Sequence, residues 1–186
     1  MVTTSVRPIP AALKPLVSYL ESLTERATVE DLRRILQESP VTIDDVQPWV
    51  QFDPVAYRRN LVCQGTWYEI LVICWLSGQR SPIHNHAGST CGVRVLQGTC
   101  TETIFDFSPC GQVKARESHD MTAGDVCATQ DQDTHQISNL QGEGDNLVTL
   151  HIYSPPLRKM DQFSLTGREV GVYRPVVFEH SWGSGI

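Results

Sequence analysis

Two histidines, His84 and His86, stand two residues apart just after the turn Ser77-Gly78-Gln79-Arg80-Ser81-Pro82. On an extended strand alternate side chains share a face, so both imidazoles can point one way, as two neighbouring ligands of a single metal must. An H-x-H pair also arises by chance, and its spacing alone leaves the metal question open. Of the six histidines, His119 and His180 stand at no ligand spacing and are read as surface or loop residues.

The pattern around the pair is longer. Gly78, five residues, His84-Asn85-His86, four residues, Cys91, six residues and Gly98 are followed by Gly124, ten residues, His135, three residues and Asn139. This resembles the two motifs of the cupin family, with their glycines, H-x-H pair and later histidine before an asparagine. The resemblance implies metal binding. It also shows a departure, because Cys91 stands where the usual cupin has a glutamate ligand. Three neutral imidazoles leave the double charge of an iron ion uncompensated, which favours an incoming thiolate and leaves positions for it and O2. The plainer account of Cys91 is a small buried hydrophobe on a strand.

Further segments sharpen the resemblance. Tyr57-Arg58-Arg59-Asn60-Leu61-Val62, Ile73-Cys74-Trp75, Ser81-Pro82-Ile83-His84-Asn85-His86, Leu96-Gln97-Gly98 and Leu150-His151-Ile152-Tyr153-Ser154-Pro155-Pro156 are similar to cysteine dioxygenases, in register from about residue 52 to 160. That resemblance implies Fe(2+) held by His84, His86 and His135, with the thiolate and amine of the substrate on the metal. Arg59 matches the arginine that holds the substrate carboxylate, with Tyr57 beside it; a guanidinium makes paired, charge-assisted contacts to such a group. Tyr153 matches the active-site tyrosine, which in some members is joined covalently to a cysteine at the position of Cys91, and His151 matches its histidine neighbour. Without the family register, Arg59 reads as a solvated surface charge, and His151 and Tyr153 as alternating residues of a half-buried strand. Thr149 departs from the serine of mammalian-type members, and Met160 replaces a cysteine near the pocket entrance. Ser154-Pro155 resembles a cis-proline turn of the family.

The expected reaction converts L-cysteine and O2 to cysteine sulfinic acid. A second reading keeps the site and takes 3-mercaptopropionate or another small thiol; relatives with that preference often carry glutamine at the position of Arg59, and comparing turnover of the two thiols separates the cases. A third is a non-catalytic metal-binding cupin sensor, which would hold iron yet consume no O2. A zinc hydrolase or isomerase also fits three histidines, but gives no reason for Arg59, Cys91 and Tyr153.

Such a site needs a rigid frame. Leu13, Val17, Leu20 and Leu23 share a helical face, and Thr28 with Asp31 opens a second periodic stretch through Leu32, Ile35 and Leu36. From Trp67 the texture turns to short β-rich runs at 67–76, 91–97, 99–107, 125–129, 134–139, 146–153 and 171–179, separated by Gly-, Pro- and Asp-containing turns. The fold expected is mainly β: a cupin (jelly-roll) double-sheet barrel, residues 51–186, with a short N-terminal helical cap, residues 1–50, as one structural unit.

Composition bounds the rest. The chain has 186 residues, 40% hydrophobic and 19% charged, enough for one filled core. A formal charge of -6 and the lack of any basic block argue against nucleic-acid partners. The longest apolar run, Ile70 to Leu76, is too short for a membrane span, and Met1 to Pro10 has no signal-peptide core. A cytoplasmic monomer or weak homo-oligomer is expected, with a small thiol and O2 as partners and its six scattered cysteines as free thiols.

Overall fold

The computed structural model describes residues 7–130 and 134–179; His180 lies outside them. Two helices lead the chain, α1 (Lys14–Glu21) and α2 (Val29–Glu38). Thr28 caps α2 by accepting the Asp31 N–H at 3.1 Å, satisfying one of the donors that the first helical turn leaves free. Among the described residues twelve strands follow: β1 (Arg58–Gln64), β2 (Glu69–Trp75), β3 (Ile83–His84), β4 (Thr90–Gln97), β5 (Thr99–Phe107), β6 (Val113–Thr122), β7 (Val126–Gln130), β8 (Thr134–Ser138), β9 (Leu147–Ser154), β10 (Met160–Phe163), β11 (Gly171–Tyr173) and β12 (Val177–Phe178).

They form two six-stranded sheets, ordered β12-β1-β2-β9-β4-β7 and β11-β10-β3-β8-β5-β6. All pairings are antiparallel except β1 with β12. Leu71, Ile73 and Val93 of the first sheet share one core with Cys100, Met121 and Ile137 of the second, so the sheets face each other. This is the double-sheet cupin barrel.

A second core lies on the outer face of the first sheet, where Leu16, Leu20, Leu32 and Leu36 pack on Ile70, Val72, Leu150 and Ile152. Strands β2 and β9 are therefore buried on both faces, and the stretch Ile70 to Trp75 of β2 reads as an unbroken apolar run rather than an alternating one. Gly92 permits the close helix contact: a Cβ there would lie 2.8 Å from Leu36 Cδ1 and 3.3 Å from Leu32 Cβ. Gly98 closes the β4–β5 turn at φ 81, a conformation glycine adopts without Cβ strain.

Several strands differ from the sequence expectation. β1 was not anticipated because it opens on the polar run Arg58-Arg59-Asn60, nor β10 because it is only four residues long. β6 escaped because it is an edge strand exposed along nearly its whole length, so it carries no apolar alternation. The expected run at 171–179 is two short strands separated by a segment containing Pro175, which has no N–H to give a ladder.

Candidate metal centre and substrate cavity

His84 ends β3, and His135 lies directly across from it on β8. His86 does not lie on the same strand, contrary to the alternation argument: β3 stops at His84. The chain turns sharply after His86, with Ala87 at φ 45 and Gly88 at φ 96, and the Ser89 N–H donates to His86 O at 3.0 Å. Asn85, between the two histidines, is clamped to Asp161 of β10: its amide donates to Asp161 Oδ2 at 2.9 Å, and the Asp161 N–H donates to Asn85 Oδ1 at 3.1 Å. From the cap side, Arg26 donates to Gly88 O at 2.9 Å and Thr90 donates to Ala27 O at 2.8 Å.

The three imidazoles are buried, and one ligand atom from each lies within 4.8 Å of the other two. Their outer nitrogens are engaged. His84 Nδ1 lies 2.9 Å from Pro82 O, a pure acceptor, so Nδ1 carries the proton and Nε2 keeps its lone pair. His135 Nδ1 donates to Glu102 Oε1 at 2.5 Å, and His86 Nδ1 lies 3.5 Å from Thr129 Oγ1. His86 Nε2 and His135 Nε2 are buried with no hydrogen-bond partner among the described residues. Buried polar atoms are normally satisfied; bare lone pairs converging on one point fit a cation. Burial pushes His84 down to about 3, with repulsion from His135 adding to it, and depresses His86 in the same way. Neutral imidazoles are the ligating form.

The rest of the expected site faces the same small cavity. Arg59 is 3% exposed, with Nη2 3.7 Å from Glu69 Oε1 and its guanidinium 5.1 Å from the Tyr153 ring centre. Its Nε and Nη2 have no hydrogen-bond partner among the described residues. Tyr57 stacks on Trp75, ring centres 4.3 Å apart, and burial raises its phenol. Cys91 and Tyr153 are direct cross-strand partners on β4 and β9. Burial raises both groups well above their ordinary values, so each keeps its proton near neutral pH. His151 Nδ1 lies 3.1 Å from Tyr153 Oη and its Nε2 lies 2.9 Å from Thr149 Oγ1.

Four residues differ from the sequence reading or were absent from it. Met160 is buried in the core between the sheets rather than lining the cavity. His119 is a surface residue, as expected, but it lies on β6 rather than in a loop, with Nε2 3.0 Å from Glu102 Oε2. Glu102 and Glu69, both buried carboxylates in contact with expected site residues, were missed. Glu102 had a signal, a lone acid in the run Thr101-Glu102-Thr103-Ile104-Phe105, on the face it shares with Cys100 and Ile104. Burial opposes its charge, but hydrogen bonds and attraction to His135 and His119 outweigh that and hold the carboxyl below the usual range.

A cupin barrel with three buried, convergent imidazoles defines a metal-site protein. The family profile described as cysteine dioxygenase type I matches residues 1–166, and the chain belongs to that family. Curated relatives include cysteine dioxygenase type 1 of Danio rerio, 28% identical over 166 residues (83% of this chain, 80% of that protein), and of Homo sapiens, 29% identical over 153 residues (79% and 76%). A solved protein from Thermus thermophilus is similar in fold, with a TM-score of 0.50 and 17% identity over 62% of this chain and 98% of its own. The chain is an oxidoreductase of the dioxygenase class, a metal-dependent thiol dioxygenase. Among the described residues no helix is long and apolar enough to cross a membrane.

Proposed function

We propose that this chain is an Fe(2+)-dependent cysteine dioxygenase that converts L-cysteine and O2 to cysteine sulfinic acid. The observation that carries this reading is the meeting, on one small cavity, of three imidazole nitrogens and the unpaired N–H groups of a buried arginine. His84, His86 and His135 hold the metal in this reading, and the orphaned Nε2 atoms support it. Ferrous iron held there would bind the thiolate and O2, and a thiol bound to a cation is deprotonated readily.

Arg59 takes the substrate carboxylate. A buried guanidinium with free donors and one distant acidic neighbour is an incomplete ion pair, and an incoming carboxylate completes it with charge-assisted hydrogen bonds. Tyr57, held by its stack on Trp75, closes the wall beside Arg59. An anchored carboxylate fixes where the sulfur sits, so proximity supplies much of the rate.

Tyr153 and His151 manage a proton at the phenol oxygen. Trp75 Nε1 can only donate, and it donates to Thr149 Oγ1 at 3.1 Å. With His151 protonated on Nε2, that ring donates to Thr149, whose hydroxyl turns to Ile73 O at 3.4 Å, and Nδ1 accepts the Tyr153 proton. With the other tautomer, Nδ1–H donates to Tyr153 and the phenol proton is left for the cavity. Cys91, opposite Tyr153, stands where a thioether to that ring is within reach of the backbone register. The cap contacts of Arg26 and Thr90 support reading residues 1–50 and 51–186 as one unit.

The overall reaction adds both atoms of O2 to sulfur: the sulfur gives four electrons, O2 takes four, and the thiol proton ends on the sulfinic group. Anaerobic loading with Fe(2+), followed by O2 consumption with L-cysteine and, separately, with 3-mercaptopropionate, tests it. Uptake with cysteine that is lost in His86→Ala is the expected result. Preference for 3-mercaptopropionate replaces the substrate, and no uptake with either favours a sensor.

A further inference from the structure

His119 stands outside the cavity, yet it touches the shell that holds it. Glu102 and His119 are cross-strand partners on β5 and β6. Cys100 and Met121, partners two residues along, lie in the core between the sheets, so alternation places Glu102 and His119 on the interior face as well. β6 is the edge of its sheet, and the His119 side chain is 46% exposed while that of Glu102 is 5% exposed. The carboxylate therefore sits between a buried imidazole and one at the solvent boundary.

Both of its oxygens are used. Oε1 accepts from His135 Nδ1 at 2.5 Å, and Oε2 is paired with His119 Nε2 across 3.0 Å. A carboxylate tied at one oxygen can swing about its last torsion; tied at both, it is fixed. A neutral imidazole protonated on Nε2 makes this bond, so the arrangement does not depend on the charge of His119. Carboxylates behind a ligating histidine orient its ring and raise its basicity.

We propose that His119 is a positioning residue of the metal site: by holding Glu102 from the solvent side it keeps the His135 imidazole in its ligating orientation, so metal affinity is set partly from the barrel edge. This rests on the reading of His84, His86 and His135 as ligands.

The test is Co(2+) binding to the purified apo-protein, read by competition with a chromogenic chelator and by the visible absorption of the bound ion. His119→Leu should bind about tenfold more weakly and shift the absorption, while Glu102→Gln loses at least as much. His119→Gln, which returns an N–H donor at similar reach, should recover most of the affinity. Apo-protein melting should be the same in all three histidine forms, since the residue is half exposed. Wild-type affinity and spectrum in His119→Leu overturn the positioning role, as does an equal loss in the Leu and Gln variants. No Co(2+) binding by the wild type overturns the metal site itself, and the proposal with it.

Discussion

Trp75 donates its indole N–H to Thr149 across 3.1 Å, and Thr149 in turn lies 2.9 Å from His151 Nε2. One hydroxyl thus joins a donor-only indole to the imidazole that serves Tyr153. Thr149→Ser keeps the hydroxyl and should turn over at close to the parent rate. Thr149→Val leaves Trp75 Nε1 and His151 Nε2 buried without a partner, and losing one such bond at the reacting centre should lower kcat about tenfold. Steady-state O2 uptake by the two variants checks this; equal rates in both would remove Thr149 from the relay.

Arg59→Ala should raise KM for L-cysteine by about ten- to a hundredfold, the worth of a charge-assisted hydrogen-bond pair, while bound metal is unchanged. The variant should also stop distinguishing cysteine from cysteamine, which lacks the carboxylate. Retained preference for cysteine would place the carboxylate elsewhere.

Gly92→Val tests the seam between helix and sheet. The new side chain starts 2.8 Å from Leu36 Cδ1 and 3.3 Å from Leu32 Cβ, so these two side chains must give way. A loss of about 1–3 kcal/mol in urea unfolding is expected, as for other overpacked cores. An unchanged midpoint would mean that the cap shifts freely.

His151 is buried and held well below the ordinary histidine value of 6.5, first by desolvation and then by the Arg59 charge. The folded state keeps the ring neutral, whereas the unfolded chain takes up a proton below that value, so this group removes stability as pH falls. Its contribution should approach about 1.4 kcal/mol per pH unit once the unfolded form is fully protonated. Urea unfolding at pH 7 and pH 5 should show a smaller acid loss for His151→Gln than for the parent. Equal losses would mean the ring titrates alike in both states.

What the sequence made legible followed from local pattern. The β-rich runs and turns of β2, β4, β5, β8 and β9, the Thr28 cap and the spacing that joins His84 to His135 are all visible along the chain. The parts that stayed hidden depend on pairing across strands. Glu102 matters because His135 lies against it from β8 and His119 from β6, and Glu69 because Arg59 comes beside it from β1; each of the three neighbours belongs to a different strand from its carboxylate. His86 shows the limit of the alternation rule: Ala87 and Gly88 turn the chain off the strand, and the Asn85–Asp161 clamp takes over the task of aiming it.

The measurement that bears most directly on the central claim is the mass of the product formed from L-cysteine under oxygen-18 gas by the Fe(2+)-loaded protein. The account predicts a sulfinic acid carrying two labelled atoms, with none appearing in wild-type protein stripped of metal. A product with one labelled atom or none, or a disulfide in its place, would contradict it.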